Sequence, residues 1–155
     1  MAIIDSIINY RRALKRKNCA KGTVKNYMNA LKNFVTWVDV PIEKVTNQYI
    51  LEYIDYLLYK RLKPKTINNN LDSIRGFYNY LHNEEKCVEK NPVKKGYSLR
   101  LGNPLPKHLR DEEVQKLFDD INNPRDKAMF MLMLRCGLRV EEVANLTLNA
   151  VDFNR

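Results

Sequence analysis

The stretch that decides the fold is KTINNNLDSIRGFYNYL, residues 65–81. Its apolar side chains recur every three or four residues, a spacing that places them on one face of an α-helix. Three further helical patterns precede it, near Ile3, Val24 and Ile50, and no segment alternates convincingly enough to predict a β-strand. We therefore predict an all-α chain whose first part is a compact four-helix domain.

Glycine and proline residues mark the expected ends of these helices. Breaks are predicted at Lys21-Gly22-Thr23, Val40-Pro41, Lys63-Pro64 and Asn91-Pro92. A threonine also stands near the start of three of the helices and is predicted to cap each one, at Thr23, Thr46 and Thr66.

The helical pattern lapses between Val93 and Lys107, where two glycines and two prolines occur. This composition predicts an interdomain linker at residues 97–107, between a helical domain at 1–96 and a second domain at 108–155. A further helix is predicted from Asp111, and Leu148 to Phe153 is β-like. The part after the linker is marginal for an independent core, so we expect the second domain to be truncated.

The positive charge of the chain is concentrated in its first two thirds. Residues 1–100 contain 19 Lys and Arg against 9 Asp and Glu, a net of +10, whereas residues 101–155 have a net of −1. A folded segment this basic favours nucleic acid as a partner. The alternative is a surface that is merely rich in lysine.

Composition argues against several other classes. No run of 18 apolar residues predicts a membrane span, and the acidic N-terminus lacks the features of a signal peptide, so we expect a cytoplasmic protein. The three cysteines are far apart without a Cys-x-x-Cys pair, and the two histidines are isolated. We therefore expect reduced thiols and no metal site.

The segment CGLRVEEVANL, residues 136–146, carries the main chemical signal. A helix is predicted to begin at Pro124 and to end at Gly137 in a left-handed conformation. Arg139 then lies at the start of the next short helix, where backbone N–H groups favour an anion and a guanidinium can hold a phosphate with two hydrogen bonds. An ordinary surface arginine at a helix–turn–helix corner is the alternative interpretation.

Four motifs in order resemble those of the tyrosine recombinase (phage integrase) family. TVKNY at residues 23–27, with Phe34 and Trp37, resembles the second helix of its core-binding domain, and residues 65–81 with Asn91-Pro92 are similar to that domain's last major helix and exit. Leu105-Pro106 and residues 109–118 resemble the entry to the catalytic domain, and Gly137-Leu138-Arg139 with Glu142 matches its first box. The resemblance implies a SAM-like helical core-binding domain followed by the helical start of an α+β catalytic domain.

The resemblance also implies a mechanism. Such enzymes cut and rejoin duplex DNA through a covalent phosphotyrosine instead of using ATP or metal, and fixed guanidinium groups stabilise the phosphate in the transition state. The resemblance therefore implies no cofactor and no small-molecule substrate. Arg139 is predicted to be one of these groups, with Glu142 supporting it. The family's later lysine, His-x-x-Arg box and tyrosine nucleophile have no counterpart, because all nine tyrosines precede Arg139. We therefore expect the chain by itself to bind DNA without cutting it.

In the family the second and fourth helices face the DNA, and complete enzymes bind it with other protomers. The resemblance therefore predicts contacts to double-stranded DNA near the starts of both helices, at Lys21, Thr23, Lys25, Asn26, Lys63, Lys65, Thr66, Asn68, Asn69 and Arg75. Two other functions stay open from the sequence. One is a dimeric helix–turn–helix regulator, and the other is a helical interaction module without a DNA role.

Overall fold

The computed structural model describes residues 3–102 and 108–150 and divides the chain into two compact units, Met1–Asn103 and Pro104–Arg155. Every regular element within the described ranges is helical, which confirms the all-α prediction. The four predicted helices of the first unit are present as α1 (Ile3–Arg16), α2 (Lys21–Trp37), α3 (Asn47–Tyr59) and α4 (Pro64–Tyr80). The predicted linker includes residues 103–107, which lie outside the described residues.

Shorter turns complete the first unit. A 3₁₀ turn at Ile42–Lys44 joins α2 to α3, a π-helical segment at Leu81–Glu85 extends α4, and another 3₁₀ turn spans Lys95–Tyr97. The second unit contains α5 (Asp111–Asp120), α6 (Pro124–Cys136), α7 (Val140–Ala144) and a 3₁₀ turn at Leu148–Ala150.

Helix α4 is the element against which α1, α2 and α3 all pack. Its predicted apolar stripe is fully buried, at Ile67, Leu71, Ile74, Phe77, Tyr78 and, just beyond the helix, Leu81. At roughly 1.5–3 kcal/mol for each large apolar side chain removed from water, this stripe is a major source of stability in the first unit. The remaining faces of α2 and α4 are free to carry polar side chains.

The threonine-cap prediction is wrong at two of its three positions. Helix α2 begins at Lys21 and α4 at Pro64, so Thr23 and Thr66 are third residues of their helices. Proline suits the first turn of a helix and keeps the preceding residue extended, which explains why Lys63 is the N-cap of α4. Thr46 does occupy the N-cap of α3, but its side chain makes no capping hydrogen bond.

The second unit buries little apolar surface within its described residues. Phe118 is the single buried apolar side chain among them, while Leu109, Phe130 and Leu134 are exposed. These four side chains line an open apolar groove together with Val114, Leu117 and Met133.

The β-like prediction is wrong for residues 148–150, which form a 3₁₀ turn. A hydrogen bond from the Ala150 N–H to the Thr147 carbonyl closes this turn, and such local bonding competes with an extended strand. Residues 151–155, which the same prediction covered in part, lie outside the described ranges.

The close approach of α1 to α4 generates a testable prediction at Gly76. A Cβ atom added to Gly76 would lie 2.7 Å from the hydroxyl oxygen of Tyr10, a buried side chain with little room to move. We expect Gly76→Ala to destabilise the first unit by about 1–2 kcal/mol, since overpacking outweighs the better helix propensity of alanine. Thermal unfolding followed by circular dichroism measures the change.

Two further variants show whether the contact with Tyr10 is the cause. In a Tyr10→Phe background the clashing oxygen is absent, so Gly76→Ala should there be neutral or stabilising. Gly22→Ala is the matched control, because nothing lies within 4 Å of an added Cβ at that helical glycine. Equal effects of Gly76→Ala with and without the Tyr10 hydroxyl would contradict this account.

Candidate nucleic-acid interface

A polar groove lies between α2 and α4, and we call it the amide groove. It contains four of the predicted DNA-binding residues, Thr23 and Asn26 from α2 and Thr66 and Asn69 from α4. The rest of its lining is Tyr27, Asn29, Ala30, Asn33, Asn70, Asp72 and Ser73. Thr23 and Thr66 are the third residues of α2 and α4, so neither caps its helix. Both side chains line this groove instead.

A second groove, the basic groove, lies between α1 and α2. The predicted residues Lys21 and Lys25 line it together with Arg11 and Lys15. Its other lining residues are Cys19, Val24, Met28 and Asn29, so its lining contains no acidic side chain to neutralise the four cations. All four charged side chains are exposed, and Asn29 belongs to both grooves. Helix α2 therefore has a basic side and an amide-bearing side.

The two remaining predicted lysines flank the start of α4. Lys63 is the N-cap and Lys65 the second residue of the helix, and both are exposed. The first N–H groups of a helix and adjacent ammonium groups both favour anions. Neither lysine lines the amide groove or the basic groove. What Lys63 and Lys65 share is their position at the start of α4.

Asn68 and Arg75 have partners inside the molecule. The segment 91–99, which we call the exit strap, runs beside α4. Asn68 donates from its amide to the Leu99 carbonyl at 2.9 Å and accepts from the Leu99 N–H at 2.8 Å. Arg75 donates to the carbonyls of Val93 and Lys94, each at 3.3 Å, and forms an ion pair with Asp72. These interactions engage both side chains within the first unit.

Asn91 fixes the beginning of the exit strap. Its amide donates to the Arg75 carbonyl at 2.8 Å and to the Asn79 side chain at 2.7 Å, while its side-chain oxygen accepts from the Val93 N–H at 2.9 Å. The Asn91-Pro92 pair thus marks the place where the chain turns back along α4, rather than the end of the helix itself. The strap carries the chain from the C-terminal half of α4 back to Asn68.

Arg139 is the N-cap of α7, as the sequence predicted, and Gly137 before it adopts the left-handed conformation. The backbone N–H of Arg139 donates to Glu142 Oε2 at 2.6 Å, and its Nη1 lies 3.4 Å from Glu142 Oε1. Glu142 thus contacts both the backbone and the guanidinium of Arg139, whose side chain is 86% exposed. Arg110 and Glu113 repeat the arrangement at the start of α5. The geometry is therefore a helix start that also presents a guanidinium, and it does not by itself mark a catalytic group.

The tyrosines nearest the core are poorly placed for nucleophilic chemistry. Tyr53 and Tyr78 are fully buried, and burial raises the pKa of Tyr53 to about 12 and the pKa of Tyr78 still further. The Tyr78 hydroxyl donates to the Ile42 carbonyl at 3.0 Å, which ties α4 to the turn before α3. Both residues are structural in the first unit.

Metal-binding clusters and membrane-spanning helices do not occur in the described ranges. Across residues 3–102 and 108–150, His, Cys, Asp and Glu side chains form no group of three that could hold a metal ion. Among the helices that the structure describes, none is both long enough and apolar enough to cross a membrane.

Family models match most of the chain. The model described as the phage integrase N-terminal SAM-like domain matches residues 7–86, which include most of α1 and all of α2 to α4. The model described as the phage integrase family matches residues 107–155. The chain belongs to the phage integrase family. Arg139 and Glu142 fall in the second matched range, and their roles in catalysis stay predictions.

Individual relatives in this family are tyrosine recombinases. Tyrosine recombinase XerC of Bacillus subtilis (strain 168) is 30% identical over 145 residues, which cover 88% of this chain and 47% of that protein. Tyrosine recombinase XerD of Pseudomonas aeruginosa is 31% identical over 147 residues, which cover 90% of this chain and 49% of that protein. The chain therefore spans about half the length of the curated relatives it matches.

A solved structure shows the same fold. The integrase from mycobacterium phage Brujita superposes with a TM-score of 0.57 and 18% sequence identity, covering 94% of this chain and 50% of that chain. At this identity the likeness concerns the fold alone. Together with the match of the SAM-like domain model to residues 7–86, it confirms the expected SAM-like helical domain in the first unit.

Sequence reasoning missed several residues of the two grooves. Arg11 lies one helical turn before Lys15, and Asn29 and Asn33 follow Asn26 at helical spacing, so periodicity along α1 and α2 could have identified all three. The internal partners of Asn68 and Arg75 were not detectable in this way. They depend on a strap whose path the local sequence does not specify.

The exit strap yields a prediction. Asn68→Ala removes both hydrogen bonds to Leu99 and should free the end of the strap, so trypsin should cut at Lys94, Lys95 and Arg100 several-fold faster. Asn69→Ala is the matched control, because Asn69 is the next residue of α4 and lines the amide groove. Mass spectrometry of the fragments gives the rates, and equal cleavage of the two variants would contradict this role for Asn68.

Proposed function

We propose that the first unit is the DNA-binding domain of a site-specific tyrosine recombinase, and that it holds duplex DNA through α2 and the start of α4. The observation that carries the proposal is the basic groove, where four cations face solvent and the lining contains no acidic residue. The family membership and the net charge of +10 over residues 1–100 support the same partner.

The two sides of α2 suit different parts of DNA. Lys21, Lys25, Arg11 and Lys15 suit phosphates, which supply most of the affinity and carry no sequence information. The amides and hydroxyls of the amide groove suit the edges of bases. Lys63 and Lys65 add phosphate contacts at the start of α4. Asn68 and Arg75 act indirectly in this proposal, because they hold the exit strap in place.

The complete recombinase would carry out DNA integration or a related strand exchange through a phosphotyrosine. In that protein Arg139 would stabilise charge on the scissile phosphate, and Glu142, whose Oε1 lies 3.4 Å from Arg139 Nη1, would hold the guanidinium in position. We also propose that such a protein acts on DNA with other protomers, as the resemblance to the family implies. The scheme requires neither a metal nor a cofactor.

The helix–turn–helix alternative is disfavoured by the length of α7. A recognition helix must enter the major groove, whereas α7 has only five residues. The alternative of an interaction module without a DNA role is separated from our proposal by a direct binding measurement.

The first functional prediction concerns salt. The chain should bind duplex DNA with an affinity that falls at least about tenfold between 50 and 200 mM salt, because several phosphate contacts release counterions. Lys21→Ala with Lys25→Ala should lower the slope of log affinity against log salt by about 1.8, at about 0.9 for each phosphate that is no longer neutralised. Lys63→Ala with Lys65→Ala should act in the same direction.

Lys44→Ala with Lys90→Ala is the charge-matched control. Lys90 lies in a groove with Glu43 and Glu89, and Lys44 lies in the 3₁₀ turn and lines neither the amide groove nor the basic groove, so this pair should leave the slope unchanged. Fluorescence anisotropy over a salt series gives every slope. Binding that ignores salt, no binding at 50 mM salt, or control effects equal to those of Lys21 and Lys25 would reject the proposed interface.

The second functional prediction concerns Arg139. In a recombinase that contains residues 1–155 and a complete catalytic domain, Arg139→Ala should slow covalent attachment to a suicide substrate by about two to three orders of magnitude. DNA affinity should change little, because the first unit supplies it. Arg139→Lys should recover part of the rate, since an ammonium keeps the charge without the bidentate contact. Arg125→Ala, at an exposed arginine in the first turn of α6, is the control and should leave the rate unchanged. A normal rate in Arg139→Ala would refute the catalytic role.

A further inference from the structure

The amide groove is unusually rich in asparagine. Helix α2 contributes Asn26, Asn29 and Asn33, whose spacing of three and four residues places them on one face of the helix. Helix α4 contributes Asn69 and Asn70 from the other side. Five carboxamides therefore converge on one groove.

Most of these amides are available for a ligand. Asn70 donates to the Thr66 carbonyl at 2.8 Å, but the side chains of Asn26, Asn29, Asn33 and Asn69 form no hydrogen bond within the described part of the chain, and all four are exposed. Elsewhere in the first unit, asparagine amides are used internally, as at Asn68 and Asn91. The groove thus presents a row of unengaged donors and acceptors.

The lining of the amide groove is poorly suited to binding a phosphate. No lysine or arginine is among its lining residues, and its one charged member, Asp72, is an acid. The cations lie on the other side of α2, in the basic groove. A phosphate would therefore favour the basic groove, and the amide groove is better suited to neutral polar atoms.

The carboxamide of asparagine matches one base edge in particular. Its oxygen can accept from N6 of adenine while its amide donates to N7, whereas guanine offers two acceptors there and is matched by arginine. We infer that the amide groove reads adenines in the major groove and makes the recombinase prefer A·T pairs at that part of its site. This inference rests on the proposed DNA-binding function.

The length of the asparagine row sets the size of the preferred segment. Asn26 and Asn33 are seven residues apart in sequence, which is about 10 Å along a helix. Base pairs are stacked about 3.4 Å apart, so the row spans about three steps of the duplex. The preference should therefore cover a window of about three or four base pairs rather than the whole bound sequence.

Selection from a random duplex library tests the inference. The full chain should enrich A·T pairs at two or more positions of one short window at fixed salt, and each favoured pair replaced by G·C should weaken binding about 5-fold to 100-fold. Asn26→Ala should abolish the preference at one position while leaving the salt slope unchanged, because Asn26 lines the amide groove and not the basic groove. Asn26→Arg should move that position towards guanine. Asn83→Ala, at an exposed asparagine outside the groove, should change neither the preference nor the slope.

The possible results separate the inference about adenine from the proposed DNA-binding function. Salt-dependent binding without a base preference, or a preference that Asn26→Ala and Asn26→Arg leave intact, would overturn the inference about adenine while the proposed DNA-binding function stands. No binding to any duplex at low salt would overturn both. Circular dichroism of each variant establishes that it is folded.

Discussion

The burial of one face of α4 is the constraint on which the first unit depends. Ile67, Leu71, Ile74 and Phe77 are fully removed from solvent, and the three other helices pack against α4. Because this face must point inward, the orientation of the neighbouring faces of the same helix is fixed too. One of them lines the groove with α2, and another, through Asn68, holds the exit strap. Helix α4 thus contributes side chains to the core, to the candidate interface and to the anchoring of the exit strap.

Helix α2 divides the candidate interface by chemical type. Its early lysines line the basic groove with α1, and its asparagines line the amide groove with α4. Lysines that can attract phosphates and asparagines that can form directional hydrogen bonds with bases therefore lie on adjacent surfaces. A sequence-selective DNA-binding protein needs this combination. The second unit has neither the net positive charge of the first unit nor a comparable core in its described residues. The residue of the second unit that bears on the proposed chemistry is Arg139.

Sequence patterns were informative wherever the signal was local. Apolar periodicity predicted all four helices of the first unit, and Pro124 and Gly137 predicted the bounds of α6 because both residues have strong backbone preferences. The cap prediction failed at Thr23 and Thr66, because both helices begin before these residues.

Non-local contacts were beyond the reach of such patterns. Asn68 and Arg75 hold a strap that lies 18 to 31 residues further along the chain. These contacts depend on how the chain returns to α4 after Asn91, and no local spacing encodes that return.

The central claim is that the surface around α2 and the start of α4 faces DNA. Lysine reactivity footprinting of the whole chain, with and without duplex DNA at low salt, tests this claim without altering the protein. The account predicts that DNA protects Lys21, Lys25, Lys63 and Lys65 from an amine-reactive label, while Lys44 and Lys90 keep their reactivity. Uniform protection of all these lysines, or protection confined to the second group, would contradict the account.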